Sequence, residues 1–162
     1  MCIRDRLTVG PEIDYVIIHT YNQYTLKLIR VVIAKDLITK QLGGKYILVN
    51  NATELEIYDR KSKKIPYYIS ETINGKILKG VRYEKIWKES PMPLDHPENA
   101  YRVILGDFVT TEDGTGIVHT APTFGADDAK VAKEASPEVP PLMVLDENNN
   151  KVPLVDLHGR FR

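Results

Sequence analysis

DYVIIHTYNQYTLKLIRVVIA, residues 14–34, is the stretch on which the fold class turns. Residues 14–20 and 24–34 are dense in Val, Ile, Tyr and Thr, side chains that suit a pleated, half-buried surface, and only Tyr21-Asn22-Gln23 separates them. The pattern predicts two paired strands. Working outward, residues 36–42 predict a short helix, with Leu37, Ile38, Gln41 and Leu42 near one face and Gly43-Gly44 as its stop. A short strand is expected over 46–50. Residues 54–59 and 65–69 flank the basic tip 60–64 and predict a hairpin. Another extended stretch is expected over 77–87, closed by Ser90-Pro91-Met92-Pro93. Residues 101–111 and 116–121 flank Glu112-Asp113-Gly114-Thr115, a strong short-range hairpin signal. A second helix is expected over 126–135, ended by Ser136-Pro137, and a last hairpin brackets 146–150. Eight to ten strands with two short helices predict a mainly β domain of the α+β class, barrel-like in closure.

Composition narrows the function classes. The chain has 162 residues, 43% hydrophobic and 27% charged, which excludes a disordered tail or a fibre. No apolar run approaches the roughly 20 residues that span a bilayer. The start has no apolar core of a signal peptide, and Pro11, Glu12 and Asp14 follow closely. The single cysteine, Cys2, excludes an internal disulfide and a Cys-based zinc site. A cytoplasmic domain, not bound to a membrane, is the expectation. Net charge is zero, yet residues 1–90 carry 16 Lys and Arg against 10 Asp and Glu, and residues 91–162 carry 6 against 12. The first part could present a basic face to a phosphate backbone. Taken alone, Lys61, Lys63 and Lys64 read better as a solvated hairpin tip. Residues 1–6 lack cap, periodicity or turn signal and read as an artefact or disordered. Residues 7–162 then form one domain, a piece truncated on its N-terminal side.

Most catalytic patterns are missing: there is no G-x-S-x-G, P-loop, H-E-x-x-H or G-x-G-x-x-G. His19, His96, His119 and His158 lie far apart, so no metal site is expected. Gly114-Thr115-Gly116 has part of a phosphate-loop look, but a turn explains it better. One segment stands out, GTGIVHTAPTFGADD at residues 114–128. A strand ends there on His119 and Thr120, and Pro122 and Gly125 turn the chain into a helix whose first turn holds Asp127 and Asp128. This brings an imidazole and a carboxylate to a strand–turn–helix mouth where backbone N–H groups are unpaired. The helix dipole favours an ionised carboxylate, which could bind an ammonium group. The residues alone also allow two helix-capping aspartates beside a half-buried strand histidine.

Residues 114–128 resemble the signature of the editing domain of isoleucyl-tRNA synthetases. LTVGPEIDYVIIHTYNQYT at 7–25 is similar to the stretch after that family's threonine-rich editing peptide, and LMVLDENNNKVPLVDLHGRF at 142–161 to the segment returning to the catalytic body. The related valyl and leucyl enzymes keep a GTG-like turn and a distal Asp but typically lack a histidine at the place of His119. The resemblance implies the editing-domain fold of the valyl, leucyl and isoleucyl type. It implies that Asp128 holds the α-ammonium of a misattached amino acid and that His119 limits the side-chain pocket. Thr120, Ala121, Pro122, Phe124 and Gly125 would shape the wall. The implied reaction is hydrolysis of valine misattached to tRNA, within an enzyme that ligates isoleucine. The implied partners are the tRNA acceptor end and the remainder of the synthetase. The threonine-rich peptide and the HIGH- and KMSKS-type signatures are missing, so ATP and magnesium are expected only in the aminoacylation domain. A non-catalytic RNA-binding β domain is the competing reading.

Overall fold

A computed structural model describes residues 6–85, 87–121, 123 and 125–156. In chain order the elements are β1 Arg6–Val9, β2 Asp14–Tyr21 and β3 Leu28–Ala34, then a 3-10 turn Lys35–Leu37 leading into α1 Ile38–Leu42. Next come β4 Tyr46–Leu48, α2 Ala52–Glu56, β5 Ile65–Asn74 and α3 Gly75–Leu78. After a 3-10 turn Pro97–Asn99 follow β6 Val103–Leu105, β7 Ile117–Thr120, α4 Ala126–Glu134, β8 Met143–Leu145 and β9 Lys151–Pro153. The described residues divide into two compact units, one of 10–77 with 108–117, the other of those within 6–9, 78–107 and 118–156.

The first unit holds a four-stranded sheet in the order β3-β2-β5-β4. β2 runs antiparallel to both neighbours, with Ile17 opposite Val32 and Ile18 opposite Val31 on one side and a bulge between Ile17 and Ile18 on the other. The pairing expected over 14–34 is present, but β3 starts at Leu28. The Asn22 side chain accepts from the N–H groups of Tyr24 and Thr25, each at 2.9 Å, so the connection uses those residues for a turn. Val16, Ile18 and Ile33 form the buried core, and Val31, Ile38, Leu42, Tyr67 and Ile69 pack on it.

The hairpin expected around 60–64 is not formed. Residues 52–56 are helical because Asn51 accepts from the Glu54 N–H at 3.0 Å while Glu54 reaches back to the Asn50 N–H at 3.0 Å. This reciprocal cap favours helix over strand. α2 then connects β4 to β5, which are parallel, with Tyr46 opposite Ile65. Nor, among the described residues, is the extended stretch expected over 77–87 a named strand: α3 runs from Gly75 to Leu78, and beyond it an isolated bridge pairs Arg82 with Arg102.

The segment 108–117 is moored to β2 and β3. Ala34 donates its N–H to Thr115 O at 2.8 Å. The Tyr15 hydroxyl accepts from the Gly10 N–H at 2.9 Å and donates to Gly116 O at 2.5 Å. Burial raises the Tyr15 pKa above the ordinary phenol value. Gly116 has φ 71°, and a Cβ there would lie 2.5 Å from the Ala34 Cβ. The Gly114 carbonyl accepts from Gln41 Nε2 at 2.6 Å. The Gly114-Thr115-Gly116 turn is thus pinned by its carbonyls, two to the sheet and one to α1, as a structural turn would be.

In the second unit, β1 is the middle strand of the order β6-β1-β7. It runs parallel to β6, with Leu7 opposite Val103. The hairpin expected over 101–121 is corrected by this order, because β1 separates its two arms. Arg6, set outside the fold by the sequence reading, opens β1 and is fully buried; residues 1–5 lie outside the described residues. Ile104, Ala132 and Val139 form a buried cluster that Val131 and Ala135 join, which explains the apolar side of α4. β8 and β9 form the expected antiparallel hairpin, turned by the Asp146 carboxylate accepting from the Asn148 and Asn150 N–H groups. The mainly β, α+β class stands. Barrel-like closure does not: among the described residues the strands form separate sheets of three, four and two, none of them closed.

Candidate functional site at the β7–α4 turn

The site is built on the end of β7 and the start of α4. Thr120 is fully buried, and its hydroxyl lies 2.5 Å from that of Thr8, also fully buried, on β1. This bond ties the last residue of β7 to the central strand. Val118 and His119, just before it, are exposed. His119 makes no hydrogen bond among the described residues.

Beyond Thr120 the chain reaches Ala121, which is buried and donates its N–H to Asp128 Oδ2 at 2.9 Å. Gly125 is the residue before the helix and offers no side-chain cap; the first helical bond runs from the Ala129 N–H to Gly125 O at 2.8 Å. Asp127 and Asp128 occupy the first turn, where the unpaired N–H groups favour negative charge. A carboxylate at the third helical position commonly bonds back to the residue before the helix. Here it bonds seven residues back instead and closes the strand–turn–helix into a loop. Gly125 makes room for it: a Cβ there would lie 3.2 Å from Asp128 Cβ and Cγ and 3.3 Å from Oδ2.

The half-buried Asp128 carboxylate is therefore oriented through one oxygen, while Oδ1 makes no hydrogen bond among the described residues. Such a group can accept a charge-assisted bond from a primary ammonium. Asp127 is exposed. Thr120 and Ala121, read as wall residues, are both buried and engaged, one through its hydroxyl and the other through its N–H. Pro122 and Phe124 lie outside the described residues. Thr8 was not legible as part of the site, because its partner stands 112 positions away. Cavities of about 460, 530 and 470 Å³ are lined from 82–101, from 23–46 with Thr115, and from 47–66; His119 and Asp128 line none of these three. Among the described residues no group of three or more His, Cys, Asp or Glu could hold a metal ion, and no helix is long and apolar enough to cross a membrane.

No family model matches the chain. Curated relatives do. The chain is 47% identical over 156 residues to an isoleucine–tRNA ligase of Cytophaga hutchinsonii, covering 96% of the chain and 13% of that protein. It is 48% identical over 160 residues to that of Porphyromonas gingivalis, with the same coverages. It is 35% identical over 151 residues to that of Picrophilus torridus, covering 91% of the chain and 11% of the relative. The chain thus spans about an eighth of the length of the curated relatives it matches.

Proposed function

The chain is related, along nearly all of its length, to one segment of the isoleucine–tRNA ligases, and on that footing we propose that it is a proofreading domain that hydrolyses valine misattached to the isoleucine tRNA. The observation that carries the reading is the Asp128 carboxylate, held by the Ala121 N–H through Oδ2 while Oδ1 makes no hydrogen bond among the described residues.

The physical need for such a domain is simple. Valine lacks one methylene of isoleucine, and a pocket distinguishes them by only about 1–3 kcal/mol; isoleucyl-tRNA synthetases are the usual illustration of that limit. A second site that excludes the larger side chain reverses the discrimination. In this reading Asp128 grips the α-ammonium of the esterified amino acid and so fixes its carbonyl. Water attacks the carbonyl carbon, the bond to the ribose oxygen breaks, and that oxygen takes up a proton. Free valine and uncharged tRNA are released. His119, exposed on β7 and unbonded among the described residues, is the steric gate against isoleucine. Thr8 and Thr120 hold the strand that carries it.

The test is made in the whole synthetase bearing this segment. Asp128→Ala is expected to abolish valyl-tRNA deacylation and leave isoleucylation intact; retained deacylation would refute the role. His119→Ala is expected to admit isoleucyl-tRNA to hydrolysis, and unchanged discrimination would remove the gate. The basic balance of residues 1–90 favours tRNA as partner, and it also supports the alternative of RNA binding without catalysis. An Asp128-dependent hydrolysis excludes that alternative.

A further inference from the structure

Away from the β7–α4 turn, one cavity gathers polar groups that the proposed hydrolysis does not use. It measures about 460 Å³ and is walled by residues between 82 and 101. That volume lies in the range of small-molecule sites. Three cations, Arg82, Lys85 and Lys88, line it against one carboxylate, Glu84. The Arg82 guanidinium donates to Glu98 O and Lys85 Nζ donates to Ser90 O at 2.5 Å, so both are held in place. Lys88 is exposed and forms no ion pair among the described residues.

The aromatic part of the wall is unusual in two ways. Tyr83 and Tyr101 meet edge to face, with ring centroids 6.1 Å apart and planes at 84°. Tyr101 has φ 53°, a left-handed conformation that bulky side chains avoid. It is 6% exposed, and its hydroxyl is buried with no hydrogen-bond partner among the described residues. A strained backbone and a buried, orphaned hydroxyl on a residue that lines the cavity are costs that folds accept where a ligand is received. A bare phosphate would leave the rings unused, and an apolar ligand would leave the lysine and the hydroxyl unused. A nucleotide brings a flat ring, an anion and acceptor atoms together.

We propose that this cavity receives one nucleotide unit, its base against Tyr83 and Tyr101, its phosphate at Lys88, and one of its acceptor atoms meeting the Tyr101 hydroxyl after local side-chain adjustment. The source is a single-stranded RNA segment or a free mononucleotide. The RNA source rests on the reading that the chain works on tRNA; the cavity chemistry stands without it.

The test uses the full 162-residue chain with a fluorescent single-stranded RNA hexamer, read by anisotropy, and with AMP as competitor. Lys88→Glu is expected to weaken hexamer binding several-fold and to reduce the slope of log K against log salt by about 1. Tyr101→Phe is expected to weaken binding about fivefold with the slope unchanged and to raise the melting temperature, because it removes the unsatisfied hydroxyl. A hydroxyl with only a structural role would not combine lower affinity with higher stability. Competition by AMP supports the free nucleotide as source, and hexamer binding without it supports the strand. No hexamer or AMP binding, or binding that both variants leave unchanged, overturns the proposal. Such a failure with Asp128-dependent valyl-tRNA deacylation intact spares the proofreading reading. Cavity binding retained while Asp128→Ala leaves valyl-tRNA deacylation unchanged overturns only the proofreading reading.

Discussion

Gly114 and Gly116 offer a controlled perturbation, because they share a backbone conformation and differ in their surroundings. Both have φ 71°, yet a Cβ at Gly114 meets nothing within 4 Å, whereas at Gly116 it meets the Ala34 Cβ at 2.5 Å. Alanine at either position costs about 1–2 kcal/mol for the left-handed backbone, partly offset by about 0.4–1 kcal/mol from a less flexible unfolded chain. Gly114→Ala should therefore destabilise by about 1 kcal/mol. Gly116→Ala carries the same term plus about 1–3 kcal/mol of overpacking against a fully buried Ala34. It also disturbs the carbonyl that accepts from Tyr15. The gap between the variants should be about 1–3 kcal/mol, or about 2–12 °C in melting temperature for a chain of this size. Urea titration of the 162-residue chain, followed by circular dichroism, measures it. Ala34→Gly combined with Gly116→Ala should recover most of the steric part, since the two sites touch. Equal losses for the two glycine variants, or no recovery in the pair, would refute the docking of this turn on β3.

Gly125→Ala should push the Asp128 carboxylate off the Ala121 N–H and lower kcat/KM for valyl-tRNA deacylation about tenfold, about 1.4 kcal/mol in barrier, with isoleucylation unchanged. Thr8→Val should cost about 1–3 kcal/mol by stranding the buried Thr120 hydroxyl, and adding Thr120→Val should cost little more; denaturant midpoints of the two variants decide. Asn51→Ala should remove the cap of α2 and cost about 1 kcal/mol in the same assay. Hydrogen bonds from the side chain and backbone N–H of Asn50 hold the Glu54 carboxyl below its ordinary pKa. Its contribution is thus fully present above the usual carboxylate range and is lost as pH falls through the lowered value. Asn50→Ala should flatten that acid limb of a stability–pH profile.

What was legible in the sequence is what neighbouring residues decide. The run 14–34 pairs as its β-branched content suggests, the β8–β9 hairpin forms around its Asp-rich turn, and the 114–128 segment becomes a strand, a turn and a helix beginning at Ala126. Residues 54–59 carry a local signal against a strand: the Asn51-to-Glu54 cap outweighs strand-like spacing over a few residues. The Asp113-Gly114 turn was read as closing a hairpin, but tertiary pairing of β1 overrides it. That pairing links Leu7 with Val103, and no local pattern announces a partner so far along the chain. The same holds in the site. Asp127 and Asp128 were visible as an acidic first turn, while the bond to the Ala121 N–H that separates their roles exists only once the loop has folded.

The central place of β1 has a consequence for how the protein is made. When it leaves the ribosome, this strand has neither β6 nor β7 beside it, since β6 begins at Val103 and β7 at Ile117. At about 5–20 residues per second, the wait for β6 alone lasts about 5–20 s. Meanwhile β2 through β5 can pair among themselves, all being complete by Asn74. For that interval the nascent polypeptide carries a ready sheet with an orphan strand ahead of it. Both edges of that strand are open to the wrong partner, and a holding chaperone should find the chain most receptive there.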